Sequence, residues 1–306
     1  MNQFFLKFYL CIKSSFFLYG YIKILSIFHP YIKPISLIKA KDITNICSIG
    51  AKKVAISGTG CLMVFTKEYL YKFPLGNTTA KALKIEYDNY KKIKKTSLSN
   101  FVDYYLGQEL LSEEIFYKMS ILKTLSYSDT SIAKNIIIKS LSENGNFGKA
   151  SIFSKENHLL GYEVILKYCN NAQRLELSDI KGWLNGIEYC TSYIHGDLTP
   201  LNIMKNNGVV FIDLDRFDFA GFNFFDKIHY HIEYEAKMKG LNSYDFIALN
   251  FELLLSEYSK QELLSYLFFR TGAEKRSDVS LHPSYYLKII TLILLIKRHV
   301  GKNEVL

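Results

Sequence analysis

The sequence predicts an α+β fold in two parts, a small antiparallel β-sheet lobe with one helix followed by a larger, mainly helical lobe. Three observations carry this. Residues 53–73 form short β-rich runs broken by turn residues, and residues 79–95 carry a helical apolar stripe. Beyond residue 127 the pattern is mainly helical, apart from a short β-rich piece at 208–214. The expected division is a basic aromatic extension over 1–45, a first lobe over 46–125 and a second lobe over 126–306.

The extension comes first. The chain has 306 residues, enough to give two lobes a core, and its 49% apolar and 22% charged content is that of a folded chain rather than a disordered one. The formal charge is +9 and the surplus is uneven. Residues 1–41 hold six Lys and no Asp or Glu, whereas residues 218–306 hold eleven of each sign. A basic chain attracts nucleotides, phosphorylated glycans and anionic lipid, although a solvated lysine surface accounts for most of these lysines. Residues 4–28 are rich in Phe, Leu, Ile and Tyr, but Lys7, Lys13 and Lys23 interrupt them and no small-residue cleavage site follows. No uncharged stretch there approaches the roughly 18–20 residues that span a bilayer. Two readings stay open for residues 1–40: peripheral contact with the inner face of a membrane, and a plain packed extension. The five cysteines (11, 47, 61, 169 and 190) have neither zinc-ligand nor disulfide-framework spacing, and a reducing cytoplasm fits them.

The strand signals are Val54–Ser57, Leu62–Thr66 and Tyr69–Phe73, separated by Ser57-Gly58-Thr59-Gly60 and by Lys67-Glu68. Leu83, Glu86, Tyr90 and Ile93 follow at spacings of 3, 4 and 3 and so share one helix face. Strand-like runs return at 101–106 and 114–121, and Ile289–Ile296 reads as a buried C-terminal helix.

The chemistry is concentrated in His195-Gly196-Asp197-Leu198-Thr199-Pro200-Leu201-Asn202, followed by Val209-Val210-Phe211-Ile212-Asp213-Leu214-Asp215. Phosphoryl transfer needs little covalent help; it needs an oriented hydroxyl and neutralised charge. Asp197 is placed to accept or orient the hydroxyl proton. Asn202, five residues on, offers an amide oxygen to magnesium, and Asp213 brings a carboxylate from a strand end. Asn206-Asn207-Gly208 makes the turn between them. The competing interpretation is a core histidine, a turn-capping Asp197 and a strand-end Asp213.

The HGDxxxxN and IDxD patterns resemble those of the aminoglycoside phosphotransferase and choline kinase group, which shares the protein-kinase fold; the protein-kinase counterparts are HRDxxxxN and DFG. Gly196 stands where protein kinases have Arg, Leu214-Asp215 where they have Phe-Gly, and no Ala-Pro-Glu follows. Thr199 replaces the Lys common in serine/threonine kinases. These departures argue against a protein kinase switched by activation-loop phosphorylation. The Ile212–Arg216 stretch is also similar to that of lipopolysaccharide core sugar kinases, and HGD-x-T-P-x-N to that of phosphotransferases of cell-surface polysaccharide clusters.

The resemblance implies a bilobal protein-kinase-like fold, with ATP and Mg2+ as cofactors. His195 and Asp197 are then the catalytic residues, and Asn202, Asp213 and Asp215 bind the metal. A third-strand lysine reaching the nucleotide phosphates is expected at Lys72, with Glu86, fourteen residues on, as its partner; pairing of Glu86 with Lys81, Lys84 or Lys91 is the alternative. Gly58, Thr59 and Gly60 occupy the place of the phosphate-covering loop, where a plain hairpin turn would serve as well. Asp215 either assists the metal, holds Arg216 or is solvated. Arg216 contacts an anionic substrate or makes a structural ion pair.

The expected function is transfer of the ATP γ-phosphate to a hydroxyl of a small molecule or glycan, a cell-envelope sugar or glycolipid among them. Two alternatives remain. An aminoglycoside-type antibiotic kinase would need an acidic pocket for a polycation, which Asp226, Glu233 and Glu235 would have to form. The other is a non-catalytic nucleotide-binding pseudokinase. No basic-aromatic recognition motif points to nucleic acid.

Overall fold

The computed structural model describes residues 6–8, 15–28, 32–35, 37–48, 51–57, 60–111, 114–145, 147–276 and 282–299. The chain begins with β1 (Leu6–Phe8), α1 (Ser15–Phe28), α2 (Leu37–Ser48), β2 (Lys53–Ile56), β3 (Cys61–Phe65), β4 (Tyr69–Pro74), α3 (Asn77–Ile93), β5 (Tyr105–Leu111), β6 (Glu114–Ser120) and β7 (Lys123–Thr124). It continues with α4 (Tyr127–Asn144), β8 (Lys149–Ser151), α5 (Glu156–Leu166), α6 (Asn171–Asn185), β9 (Glu188–Ile194), β10 (Ile203–Lys205), β11 (Val209–Phe211) and β12 (Asp218–Phe222). Four helices close it: α7 (Phe225–Met238), α8 (Ser243–Glu257), α9 (Lys260–Arg276) and α10 (Pro283–Arg298). These elements form two compact units, one of residues 1–126 with 203–215, the other of 127–202 with 216–306.

The first unit is built on an antiparallel sheet of order β1-β2-β3-β4-β6-β5. Lys72 sits mid-sheet, opposite Met63 on one neighbour and Tyr117 on the other. The fold class is the expected one, a β-sheet unit and a larger, mainly helical unit, but among the described residues the first unit holds three α-helices rather than one. The residues expected as an extension supply the difference. Leu18 and Ile22 of α1 and Ile43 of α2 are buried in one cluster with Val54, Val64 and Phe73 of the sheet. Their periodic apolar faces need a partner, and the sheet is that partner. Residues 203–215 also belong with the first unit, because β10 pairs with both β11 and β7.

The strand expected at 101–106 starts only at Tyr105. Residues 99–102 form a 3-10 turn instead, in which Val102 is buried and the Phe101 ring stacks on Phe211 at 5.7 Å. Tertiary packing outweighed local β propensity there.

The second unit has a helical core around Ile165, Leu177, Ile228, Phe246, Phe268 and Ile293. Its three-stranded sheet, β12-β9-β8, was not expected; β9 ends at Ile194 and delivers the chain to the His195 loop. Helix α6 is started by a reciprocal capping box between Asn170 and Gln173, and α10 by Pro283 after an N-cap His282. Among the described residues no helix is long and apolar enough to cross a membrane.

Candidate functional site

In the first unit, β4 and α3 bring Lys72 and Glu86 together. Lys72 Nζ lies 3.1 Å from both carboxylate oxygens of Glu86 and 3.2 Å from Asp213 Oδ1. Glu86 thus pairs with Lys72, while Lys91 pairs with Asp88. Lys72 and Glu86 are both buried, with 7% and 3% exposure. Burial works against the Lys72 cation, but Glu86 and Asp213 outweigh it and hold its pKa well above the ordinary lysine value. Burial pushes the Glu86 carboxyl up, against the pull of Lys72.

Asp213 sits at φ 61°, a left-handed conformation that costs an ordinary side chain energy. The backbone just beyond it is held in place. Asn89, one turn beyond Glu86 on α3, donates Nδ2–H to the Leu214 carbonyl at 2.7 Å. One helix therefore positions the partner of Lys72 and ties down the backbone beside Asp213. Asp215 lies in the next 3-10 turn, and its charge adds to the upward pressure on Glu86. Gly60 (φ 81°) closes the β2–β3 turn, its N–H donating to Ser57 O at 3.0 Å. Gly58 and Thr59 lie outside the described residues.

In the second unit the loop after β9 is braced from below. The His195 and Gly196 backbone N–H groups donate to Asp226 Oδ2 and Oδ1 at 2.6 and 3.0 Å. Asp226 lies in the first turn of α7 and is buried; its pKa is pushed up by burial, against those two bonds and His195. The His195 ring is fully buried, and its Nδ1 accepts the Asp197 N–H at 3.3 Å. The expectation that His195 is catalytic thus falls on a buried ring in contact with the Asp197 backbone. Gly196 has φ 76°, and a Cβ there would fall 2.2 Å from the Arg216 carbonyl oxygen, so only glycine fits.

Asp197 Oδ1 receives Arg216 Nη1 at 3.2 Å, Arg270 Nη1 at 2.7 Å and His229 Nε2 at 3.1 Å. Burial alone would raise its pKa; Arg216, Arg270 and His229 together hold it well below the usual carboxylate range. Arg216 therefore makes an ion pair with Asp197. Asn202 donates Nδ2–H to the Asp197 carbonyl at 2.8 Å, which leaves its amide oxygen for another partner.

Asn202 in the second unit offers an amide oxygen and Asp213 in the first a carboxylate, each a hard oxygen donor of the type that magnesium accepts. Among the described residues no group of three or more His, Cys, Asp or Glu is arranged to hold a metal. The acidic convergence of Asp226, Glu233 and Glu235 is not found. Asp226 is consumed by the loop, Glu233 accepts the Ser243 hydroxyl at 2.5 Å, and Glu235 faces Lys239 at 4.0 Å.

Sequence reasoning missed Asn89 on the Leu214 carbonyl in the first unit, and His229 and Arg270 on Asp197 in the second. A signal existed for Arg270, a lone cation directly after the apolar run Leu267–Phe269.

No family model matches the chain, and no curated protein matches it. Among solved structures it is similar to a GDP complex of wild-type aminoglycoside 2'-phosphotransferase-IIIa, at 16% identity over 83% of this chain and 95% of that one, with a TM-score of 0.49. It is similar to choline kinase LicA from Streptococcus pneumoniae at 15% identity over 85% and 99% of the two chains, with a TM-score of 0.49. A thermostable mutant of aminoglycoside phosphotransferase APH(4)-Ia, in complex with ADP and hygromycin B, aligns at 11% identity over 79% and 91%, with a TM-score of 0.48.

Proposed function

We propose that the chain is a phosphotransferase that moves the γ-phosphoryl group of ATP to a hydroxyl of a small molecule or glycan, a cell-envelope sugar or glycolipid among the candidate acceptors. The observation that carries this is the Lys72 ammonium fixed between Glu86 and Asp213, residues 14 and 141 positions away in sequence. A buried cation held by two acids is a preformed contact for nucleotide phosphates. Lys72 binds those phosphates and Glu86 aims it; Gly58, Thr59 and Gly60 are the residues assigned to covering them. Asn202, Asp213 and Asp215 are the oxygen donors that would hold magnesium, which when bound would neutralise phosphate charge.

Asp197 orients the acceptor hydroxyl. The acceptor's hydroxyl oxygen bonds to the γ-phosphorus as the bond to the β–γ bridging oxygen breaks. That electron pair leaves with ADP, and the hydroxyl proton passes to solvent. The low pKa of Asp197 suits it to hold a hydroxyl by hydrogen bonding rather than to keep its proton.

The test is transfer from γ-labelled ATP with magnesium into lipid, polysaccharide and small-molecule fractions of the producing cell, with Asp197→Ala as control. Label in one fraction that disappears in the variant supports the reading and identifies the acceptor class. Failure of the wild-type protein to bind ATP would remove it.

Peripheral membrane contact of residues 1–40 is part of the same proposal. Ile24, Ile27 and Phe28 of α1 are 57%, 74% and 79% exposed at helical spacing, beside exposed Lys23. Substituting all three with Ser should reduce sedimentation with phosphatidylserine vesicles; unchanged sedimentation would count against it.

A further inference from the structure

Asp197 is gripped by one oxygen. Arg216, Arg270 and His229 all meet Oδ1, and among the described residues no donor meets Oδ2. A carboxylate oxygen has about two lone-pair directions, so three donors leave Oδ1 no capacity for a fourth. The side chain is 24% exposed.

The donors are themselves fixed. His229 is fully buried, and its Nε2 faces a carboxylate that only accepts, so Nε2 carries the proton. In the neutral ring Nδ1 is then the acceptor, and the Tyr266 hydroxyl donates to it at 3.1 Å. Arg270 directs its Nε–H to Glu274 Oε1 at 3.2 Å, and the Tyr244 hydroxyl donates to the other Glu274 oxygen at 3.2 Å. His229 and Arg270 lie 32 and 73 residues beyond Asp197 and come from separate helices, α7 and α9. A carboxylate that only had to be neutralised would need neither a buried tautomer lock nor a second guanidinium.

We infer that His229 and Arg270 are positioning residues that lock Asp197 through Oδ1 and so assign Oδ2 as the atom that holds the acceptor hydroxyl. This rests on the phosphotransferase reading and names which side of Asp197 the acceptor approaches. With Oδ1 held from three directions the carboxylate cannot turn about its Cβ–Cγ bond, and Oδ2 presents a single orientation. Loss of either donor frees that rotation and lets a remaining guanidinium, Arg216 in both cases, reach Oδ2 and occupy it.

The test uses the full chain with ATP and magnesium, water standing in as acceptor, and phosphate release measured against ATP concentration. His229→Leu and Arg270→Ala are expected to lower kcat by about 10- to 100-fold, the scale of a misplaced reacting group. KM for ATP should stay within about two-fold, because nucleotide contacts are untouched. His229→Gln and Arg270→Lys, which keep a donor, are expected to recover most of kcat. If Arg270→Ala fails to fold because it strands Glu274, the His229 pair and Arg270→Lys still decide. A shift in KM at constant kcat, or conservative variants no better than truncations, overturns the inference. Wild-type turnover in all four variants overturns it while leaving the phosphotransferase reading intact. Wild-type protein that binds ATP but releases no phosphate overturns it as well, since an open Oδ2 would orient water. Wild-type protein that binds no ATP overturns both.

Discussion

A carboxylate that receives two guanidinium groups and an imidazole N–H stays ionised far into acid. For Asp197 the sign is that of a depressed acid: its folded pKa lies below the ordinary value of 3.8, so the unfolded chain takes up the proton first as pH falls. The stability it contributes is fully present above pH 3.8 and is lost as pH drops toward the folded value. Asp197→Asn removes that contribution, leaving Arg216 without this counter-charge and Arg270 with Glu274 alone. The urea midpoint of the variant should fall below that of the wild type at neutral pH, and the gap should narrow as pH is lowered through 3.8. A gap that is constant with pH would show that the ion pairs contribute nothing. At this scale Asp197 was legible because its neighbours in sequence carry its motif. Arg270 and His229 were not, because the carboxylate that explains them is far away along the chain.

The element that decides the Asp197 geometry is α9. It carries Arg270, and it is seated on α5 at a crossing too close for side chains. A Cβ on Gly272 would lie 1.8 Å from the Asn157 carbonyl oxygen, and one on Gly161 would lie 1.9 Å from that of Phe268. The same two helices are joined by a 2.9 Å hydrogen bond between His158 Nε2 and the Ser265 hydroxyl, both buried. Gly272→Ala must therefore push α9 away from α5, at a cost of about 1–3 kcal/mol for overpacking. Denaturant unfolding measures that cost. Phosphate release should fall as well, since Arg270 lies two residues from the clash; a variant that loses stability but keeps full turnover would show that α9 and Asp197 are not coupled. Helix α3 illustrates the legible case. Leu83, Glu86 and Ile93 are buried as their spacing implied, with Asn89 taking the buried place that Tyr90 was given. Tyr90 is half-buried and donates its hydroxyl to the Tyr105 carbonyl at 3.1 Å.

On the scale of the molecule, the basic N-terminal residues are structural before they are anything else. Ile22 and Ile43 have 0% exposure and share a cluster with the sheet that carries Lys72. Ile43→Ala should destabilise the first unit by about 2–5 kcal/mol, the range for emptying a buried aliphatic site. ATP binding should be lost at lower urea than in the wild type, and an unchanged midpoint would mean that α2 is dispensable. Exposed Ile24, Ile27 and Phe28 are the positions to alter when membrane contact is tested, because truncating the segment would also remove Leu18, Ile22 and Ala40 from the core.

The sequence by itself determined what local periodicity and short motifs encode. These are the strands around Lys72, the helix face of Glu86, the Asp197 and Asp213 loops, and the division into a sheet-based and a helical part. Each depends on residues within a turn or two of each other, where spacing alone fixes which side chains share a face. Only the tertiary structure decided the partners: Asp226 beneath the loop, Asn89 on the Leu214 carbonyl, and His229 and Arg270 on one oxygen of Asp197. It also decided that the first helices pack on the sheet. A buried charge must find its counter-charge wherever the fold brings one, and nothing in the residues adjacent to Asp197 specifies from which helix that group will come.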